Sequence, residues 1–188
     1  MFGCETYGIR PDIMVMSKAL SSSYLPISAL VANDRVLDPI VEESDRIGTF
    51  GHGFTAGGHP VAAAVALESI RVIEEDGLVA RAARSGARLL AGLRAMAGHR
   101  LVGEVRGVGL IAAVELVTDK EAKTGLGQPG QLGGLVAGHL QQLGVITRNM
   151  GDSIAFCPPL VIDENQVDEL VGAFGKALDR TRADISAA

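Results

Sequence analysis

The feature that most constrains the fold is a repeated change in the spacing of apolar residues along the chain. "VAAAVALESIRVIEEDG" carries an apolar stripe at helical spacing, whereas "LVGEVRGVGLIAAVEL" has the pattern of two extended segments. Glycine supplies 24 of the 188 residues, many of them at junctions between such segments. A chain that changes period this often, with short connections, is typical of a mixed α/β protein.

The first seventy residues predict two strands and little helix. We expect buried strands at Asp12–Ser17 and Ile27–Ala32, with the serines at 21–23 and a proline marking the turn between them. A short helix capped by Asn33 or Asp34 should run towards Glu43. Buried parallel strands need helices on both faces, so this half should be incomplete by itself.

The rest of the chain predicts helices that alternate with short strands. Pro60 suits the first residue of a helix and Gly77 suits its end. The later elements expected are helices at Leu78–Met96, Leu132–Leu143 and Glu164–Arg180, a bend at Gly107 and Gly109 between two extended segments, and strands at Val145–Arg148 and Ile154–Cys157. Arg81, Arg84, Arg88 and Arg94 should form a solvated helix face. We therefore expect an incomplete domain at 1–72 and a self-contained α/β domain at 73–188.

Composition excludes several classes of function. The net charge is −5 and there is no basic run, which argues against nucleic acid or an anionic membrane surface as a partner. The apolar runs are too short and interrupted for a transmembrane helix. Cys4 and Cys157 stand far apart without a metal-site spacing, as expected in a reducing cytoplasm. His52 and His59 lack a third ligand, so no metal is predicted.

Lys18 is a candidate catalytic amine. It directly follows the apolar run Ile13–Met16, whereas Lys120, Lys123 and Lys176 lie in polar surroundings. A lysine that reacts with an aldehyde must exist as the free amine near neutral pH, and partial burial favours that uncharged form. The alternative is an ordinary surface lysine at the end of a strand.

Two further stretches have the composition of binding sites. "HGFTAGGHP" offers backbone N–H groups, the Thr55 hydroxyl and a helix N-terminus, which together suit a phosphate; the alternative is a plain loop. Arg148, at the end of a predicted strand, suits a carboxylate, unless it is paired with Asp152. Arg106 is expected to be structural and to brace a bend beside Glu104 or Glu115.

Four stretches in this order resemble the class III aminotransferases, and within them the amine–pyruvate (omega) transaminases. They are "PDIMVMSKALSSSYLPISALV", "GTFGHGFTAGGHPVAAAVALESI", "VRGVGLIAAVEL" and "GVITRNMGDSIAFCPPLVI". The resemblance covers essentially the whole chain. It implies the fold type I of pyridoxal-phosphate (PLP) transferases, with the end of the large cofactor domain followed by the small domain.

The resemblance also implies roles for individual residues. Lys18 matches the lysine that joins the cofactor covalently and moves a proton at the substrate Cα. Thr55 matches the threonine that reaches the cofactor phosphate of the neighbouring subunit, with Phe54 contributing backbone there, so a homodimer is implied. Arg148 matches the mobile arginine that binds a substrate carboxylate. The substrates implied are an amine or ω-amino acid and pyruvate or a similar keto acid.

Several parts of the family pattern have no counterpart here. These are the aspartate that pairs with the pyridine nitrogen, the phosphate loop and the aromatic that stacks on the ring. We therefore expect a C-terminal fragment that is inactive alone. A related PLP-dependent aminomutase or decarboxylase, and a non-catalytic α/β module, are the alternative functions.

Overall fold

A computed structural model describes residues 1–187, and these divide into two compact units, Met1–Gly77 and the residues from Leu78 onward. Each unit has its own β-sheet, of two strands in the first and four in the second. The two units are described separately below as unit 1 and unit 2.

Unit 1 combines a β-hairpin-like sheet with helices. Its elements in chain order are α1 (Gly3–Thr6), β1 (Ile13–Met16), the 3-10 turn Lys18–Ser21, β2 (Ala29–Ala32), α2 (Asp34–Ile47) and α3 (Pro60–Glu75). Asn33 caps α2 by accepting a hydrogen bond from the backbone N–H of Val36. Helix α3 begins at Pro60 as predicted, because a proline at the first helical position lacks only an N–H that would have had no partner.

The prediction of buried parallel strands in unit 1 is wrong. Strands β1 and β2 are antiparallel, with Val15 opposite Leu30. Neither strand has a buried residue, and Val15 is 70% exposed. An apolar run indicates a strand that can be covered, but it does not say which residues cover it. Residues 1–187 leave one side of this small sheet open to solvent.

Unit 2 is an antiparallel sheet covered by helices. Its elements are α4 (Leu78–Ala95), β3 (Val102–Val108), β4 (Ile111–Leu116), α5 (Gln131–Gln142), β5 (Arg148–Met150), β6 (Ser153–Phe156) and α6 (Glu164–Ala187). The strand order is β3-β4-β6-β5, and every neighbouring pair is antiparallel. Gly109, at a φ of 54°, makes the turn between β3 and β4 as predicted, whereas Gly107, predicted to share the bend, lies within β3 opposite Ala112.

The core of unit 2 lies between the sheet and the three helices. On β4, Ala112, Val114 and Leu116 alternate with more exposed residues, so one face of the sheet is buried. Phe156 and Phe174 meet there edge to face, with ring centroids 5.2 Å apart. Both rings are almost completely buried. Unit 2 therefore has a closed core of its own.

Helix α4 differs from the prediction in the use of its arginines. Arg88 binds Asp168 through two hydrogen bonds of 2.7 and 2.6 Å, and Arg81 donates to the carbonyl oxygens of Val161 and Ile162. Two of the four arginines therefore join α4 to the segment around α6 instead of facing only solvent. The opposite face of α4 is apolar, with Leu89 and Leu93 fully buried.

Two boundaries in unit 2 also differ from the prediction. Strand β5 begins at Arg148, and Val145 instead closes the end of α5 by donating its N–H to the Leu140 carbonyl. Helix α6 continues past Arg180 to Ala187, since its apolar stripe extends as far as the partly buried Ile185. Within residues 1–187, no helix has both the length and the apolar character of a membrane span.

Candidate active site

The turn that carries Lys18 has an unusual backbone. Lys18, Ser22 and Ser23 have φ values of 48°, 49° and 62°, in the left-handed region that non-glycine residues rarely adopt. Such residues cost of the order of 1 kcal/mol each and persist only where the surrounding structure holds them. Strained backbone of this kind concentrates at functional sites, so the turn is a candidate on conformation alone.

Hydrogen bonds within unit 1 hold this turn. The backbone N–H of Ser23 donates to the Lys18 carbonyl at 3.0 Å. Ser21 is buried, and its hydroxyl donates to the Leu25 carbonyl at 2.7 Å. The hydroxyls of Ser22 and Ser69 lie 3.0 Å apart, and Ser69 is on helix α3. From sequence the three serines at 21–23 indicate only a turn, and no spacing along the chain points to Ser69.

The glycine-rich loop leads into helix α3, whose first turn has no side-chain cap. His59 precedes the helix and makes no side-chain capping bond, and Pro60 follows as the first helical residue. The N–H groups of the first turn therefore point out of the helix end without a cap. Such an end attracts anions, because the helix dipole adds to the free donors.

One cavity of about 890 Å³ brings Lys18 and this loop together. Its lining residues are Ser17, Lys18, Ser23, Leu25, Pro26, Ile27 and Ser28 from the first half of the unit, and Phe54, Ala56, Gly57, Gly58, His59, Ala62 and Ala63 from the loop and α3. Thr55 is not among them, although both of its chain neighbours are. The residues present are an amine, a helix N-terminus and apolar walls.

Lys18 is exposed, which differs from the expected shielding by a buried strand. The strand before it, β1, alternates between exposed and half-buried residues. The Lys18 amine can therefore be shielded from water only by a molecule that fills the cavity or by a layer that covers the open side of the sheet. Residues 1–187 do not provide this shielding.

Arg148 is the first residue of β5, in unit 2, and its side chain is exposed. Among the residues that the structure describes, it makes no side-chain hydrogen bond and no ion pair. The alternative pairing with Asp152 is not formed, since Asp152 instead accepts the N–H of Gly133 at 2.8 Å. The guanidinium of Arg148 is thus available to an anion.

Arg106 has the structural role that the sequence predicted. Its guanidinium lies 3.3 Å from Glu115, 3.4 Å from Glu104 and 3.3 Å from the Ser153 hydroxyl. These contacts brace the hairpin of β3 and β4 to β6. Within residues 1–187, no three His, Cys, Asp or Glu side chains come together as a metal site requires, and both cysteines are free thiols.

Comparison with known proteins gives the family. The sequence model described as Aminotransferase class-III matches residues 1–178. Among curated relatives, gamma aminobutyrate transaminase 1, mitochondrial, from Solanum lycopersicum is 40% identical over 181 residues, which are 96% of this chain and 35% of that protein.

Solved structures give the same result. A structure titled "Transaminase with L-ala" is 59% identical, with a TM-score of 0.95 over 98% of this chain and 43% of that one. The omega transaminase from Pseudomonas jessenii in complex with PMP is 52% identical, with a TM-score of 0.93 over 99% of this chain and 41% of that one. The chain thus has the fold of these enzymes and spans about two fifths of their length. It belongs to the class III aminotransferase family.

Proposed function

We propose that this chain carries the lysine and a phosphate-binding loop of a PLP-dependent transaminase. The reaction would move an amino group from an amine or ω-amino acid to pyruvate or a similar keto acid. The observation that carries the proposal is that Lys18 and the N-terminus of α3 line one cavity. The solved relatives named as omega transaminases support the choice of substrates.

The residues present fit two ends of the cofactor. An amine at Lys18 suits an aldehyde, and the uncapped N-terminus of α3, with Gly58 just before it, suits a phosphate. Leu25 and Ile27 supply apolar surface for a flat ring. No Asp or Glu lines the cavity within the described residues, so the ring nitrogen has no carboxylate partner there. Pyridoxal phosphate, when bound, supplies a reactive aldehyde and a ring that withdraws electrons.

Each residue then has one task. Lys18 Nζ would hold pyridoxal phosphate at its aldehyde end and, as a free amine once a substrate amine has taken its place, would move the proton at the substrate Cα. Phe54 contributes backbone and an exposed ring at the cavity wall. Arg148, free of protein partners, binds the carboxylate of the keto acid through its two parallel N–H donors.

Thr55 is proposed to serve the cofactor phosphate of a second subunit, in a homodimer. Support comes from its position, since it does not line the cavity of its own chain while Phe54 and Ala56 do. A loop residue that does not line the cavity of its own chain is available to another copy. The dimer is therefore part of the proposed function.

We further propose that the protein works in the cytoplasm. The two free cysteines suit a reducing compartment. The tomato relative is named as mitochondrial, so an organelle is the competing location.

The test is reductive trapping of pyridoxal phosphate on the purified chain. After borohydride treatment, mass spectrometry should find the phosphopyridoxyl group on Lys18 well above its level on Lys123, an exposed loop lysine. A Lys18→Arg variant should lose only the first of these. Equal labelling of the two lysines would contradict the proposal.

Turnover is a separate outcome of the same preparation. Without a carboxylate beside the ring nitrogen, the isolated chain should hold the cofactor weakly and transaminate below detection. Measurable conversion of an amine and pyruvate by the chain alone would show that the missing partner is not needed.

A non-catalytic module is the second candidate, and the exposure of Lys18 favours it. Unit 2 has a closed core that does not depend on any cofactor. This candidate predicts no preference for Lys18 in the trapping experiment, so one measurement separates the two functions.

A further inference from the structure

Helix α3 holds the turn of Lys18 through one serine. Ser69 lies on α3, and its hydroxyl is 3.0 Å from the Ser22 hydroxyl and 3.5 Å from the Ala19 carbonyl oxygen. Both of these groups belong to the turn that presents Lys18. Ser69 is separated from them by about 50 residues of sequence, and it is half-buried.

The three groups form a consistent hydrogen-bond chain. A hydroxyl donates one hydrogen and can accept others. If Ser22 donates to Ser69, the Ser69 hydrogen is free for the Ala19 carbonyl, and each oxygen then has a partner. We name the hydroxyls of Ser22 and Ser69 with the Ala19 carbonyl the serine clasp.

The clasp acts where the backbone is under strain. Lys18 and Ser22 both have left-handed backbone conformations, at either end of the 3-10 turn. The backbone N–H of Ser22 also donates to Ala19, at 3.2 Å, so the clasp and the turn share one acceptor. A strained turn relaxes when the contacts that hold it are removed, and relaxation would redirect the Lys18 side chain.

The clasp also fixes a distance. Ser69 lies nine residues after Pro60, which is about 14 Å along a helix. One straight element therefore carries both the uncapped N-terminus that lines the cavity and the anchor of the lysine turn.

We propose that Ser69, through Ser22 and the Ala19 carbonyl, is a positioning residue for Lys18. It holds the lysine turn at a set distance from the phosphate-binding end of α3. This inference rests on the proposed function, because it concerns the lysine that would bind the cofactor. It assigns to Ser69 no direct contact with substrate or cofactor.

The test compares lysines within one chain. The wild-type chain and the variants Ser69→Ala and Ser69→Thr are incubated with pyridoxal phosphate, reduced briefly with borohydride and digested. Mass spectrometry gives the labelling of Lys18 relative to Lys120, Lys123 and Lys176. The three exposed lysines serve as internal standards for the extent of reduction, and all variants are compared at one cofactor concentration.

Ser69→Ala should lower the ratio about fivefold, as expected for the loss of one hydrogen-bonded hydroxyl. Ser69→Thr keeps the hydroxyl and should stay within about twofold of wild type. Ser44→Ala is the matched control, because the Ser44 hydroxyl also donates to a backbone carbonyl, that of Ile40 at 2.6 Å, but does so within α2. It should leave the ratio unchanged.

A second variant keeps the test decisive if Ser69→Ala does not fold. Ser22→Ala removes the same hydroxyl pair from the other side, and the double variant should fall no further than Ser69→Ala alone, since both act on one interaction. Circular dichroism checks that each variant is folded.

The outcomes separate the two proposals. A wild-type chain that labels Lys18 preferentially, with Ser69→Ala and Ser22→Ala both at the wild-type ratio, overturns the clasp and leaves the proposed function standing. A wild-type chain without preference for Lys18 overturns the proposed function, and the clasp with it.

Discussion

Unit 1 and unit 2 differ in how much of their apolar surface is buried. The buried apolar side chains of unit 1 are two alanines, Ala62 and Ala66, whereas unit 2 buries large residues from every helix and from β3, β4 and β6. In unit 1, helix α2 has no buried residue, although its apolar and polar residues are segregated to opposite faces. Unit 2 has the core of a finished domain, and unit 1 has the amphipathic elements of one without the layer that would cover them.

The comparison separates stability from chemistry. The candidate amine, the glycine-rich loop and the strained turn all lie in unit 1, which has the smaller core. A functional segment can keep a strained backbone when stable structure elsewhere maintains the fold. Unit 2 contributes the closed core and one candidate binding residue, Arg148. The predictions below test this division, beginning with the largest effect.

The largest difference in unfolding free energy should come from replacing one phenylalanine in each unit by alanine. Phe174→Ala in unit 2 removes a fully buried ring that packs on Phe156, and should cost about 4 kcal/mol of unfolding free energy. Phe54→Ala in unit 1 removes a ring that is 79% exposed and should change stability little. Urea unfolding followed by circular dichroism measures both. Equal losses would mean that the two units share their stability.

A pair of glycines should give an intermediate effect. A Cβ at Gly86 would overlap the backbone of Gly109, so Gly86→Ala should cost about 1–3 kcal/mol through forced movement of α4 from the hairpin. Gly172, on α6, has open space where its Cβ would stand, and Gly172→Ala should stabilise by about 0.5 kcal/mol. Thermal unfolding compares the two. A Gly86→Ala chain as stable as wild type would show that the helix and hairpin are less closely packed.

A smaller effect, dependent on pH, should come from His99. Burial lowers the pKa of His99; Asp179 opposes this shift, and Arg182 and Lys120 add to it. Because the folded state then favours the neutral ring, its contribution is full above the ordinary histidine pKa, near 6.5. It is lost as the pH falls below that value. Stability should therefore decline from about pH 7 to pH 5.

A variant can isolate the contribution of His99. Its Nδ1 accepts the Leu101 N–H at 3.1 Å, and asparagine can supply an oxygen acceptor without titrating. His99→Asn should reduce the decline between pH 7 and pH 5, and His52→Asn, in the exposed loop, should not. Urea midpoints across this pH range provide the measurement. An unchanged slope for His99→Asn would assign the decline to other groups.

The smallest change in stability should come from the open side of unit 1. Val15 and Leu30 lie opposite each other and are 70% and 65% exposed. Replacing both by threonine keeps strand propensity and should change unfolding free energy by no more than about 0.5 kcal/mol. Self-association in sedimentation experiments should decrease, since this apolar surface would be smaller. A large loss of stability would mean that the pair is more buried in solution.

The sequence predicted elements wherever the determinants are local. Pro60 and Gly77 set the limits of α3 closely, and Gly109 marked the hairpin, because these residues act through their own backbone. The start of β5 was missed, since Val145 and Ile146 have strand propensity but Gly144, at a φ of 82°, ends α5 and sends them into the connection. The pairing of Met150 with Ser153 across a two-residue turn then sets the register.

Burial and long-range contacts could not be predicted in this way. Lys18 and the glycine-rich loop were identified by residue type, and the cavity places them together. The exposure of Lys18 was missed because an apolar run does not reveal what lies over it. Ser69 carried no signal, because its role depends on two groups that are distant in sequence.

The number of residues between Pro60 and Ser69 sets where the serine hydroxyl stands relative to the N-terminus of α3. One residue inserted between Pro60 and Ser69 would rotate the serine by about 100° and advance it by about 1.5 Å. The hydroxyl would then face away from Ser22, while the N-terminus of the helix would be unaltered. Insertions between Pro60 and Ser69 should reduce the preferential labelling of Lys18 even where they leave every residue that lines the cavity in place. Insertions after Ser69 should reduce it much less.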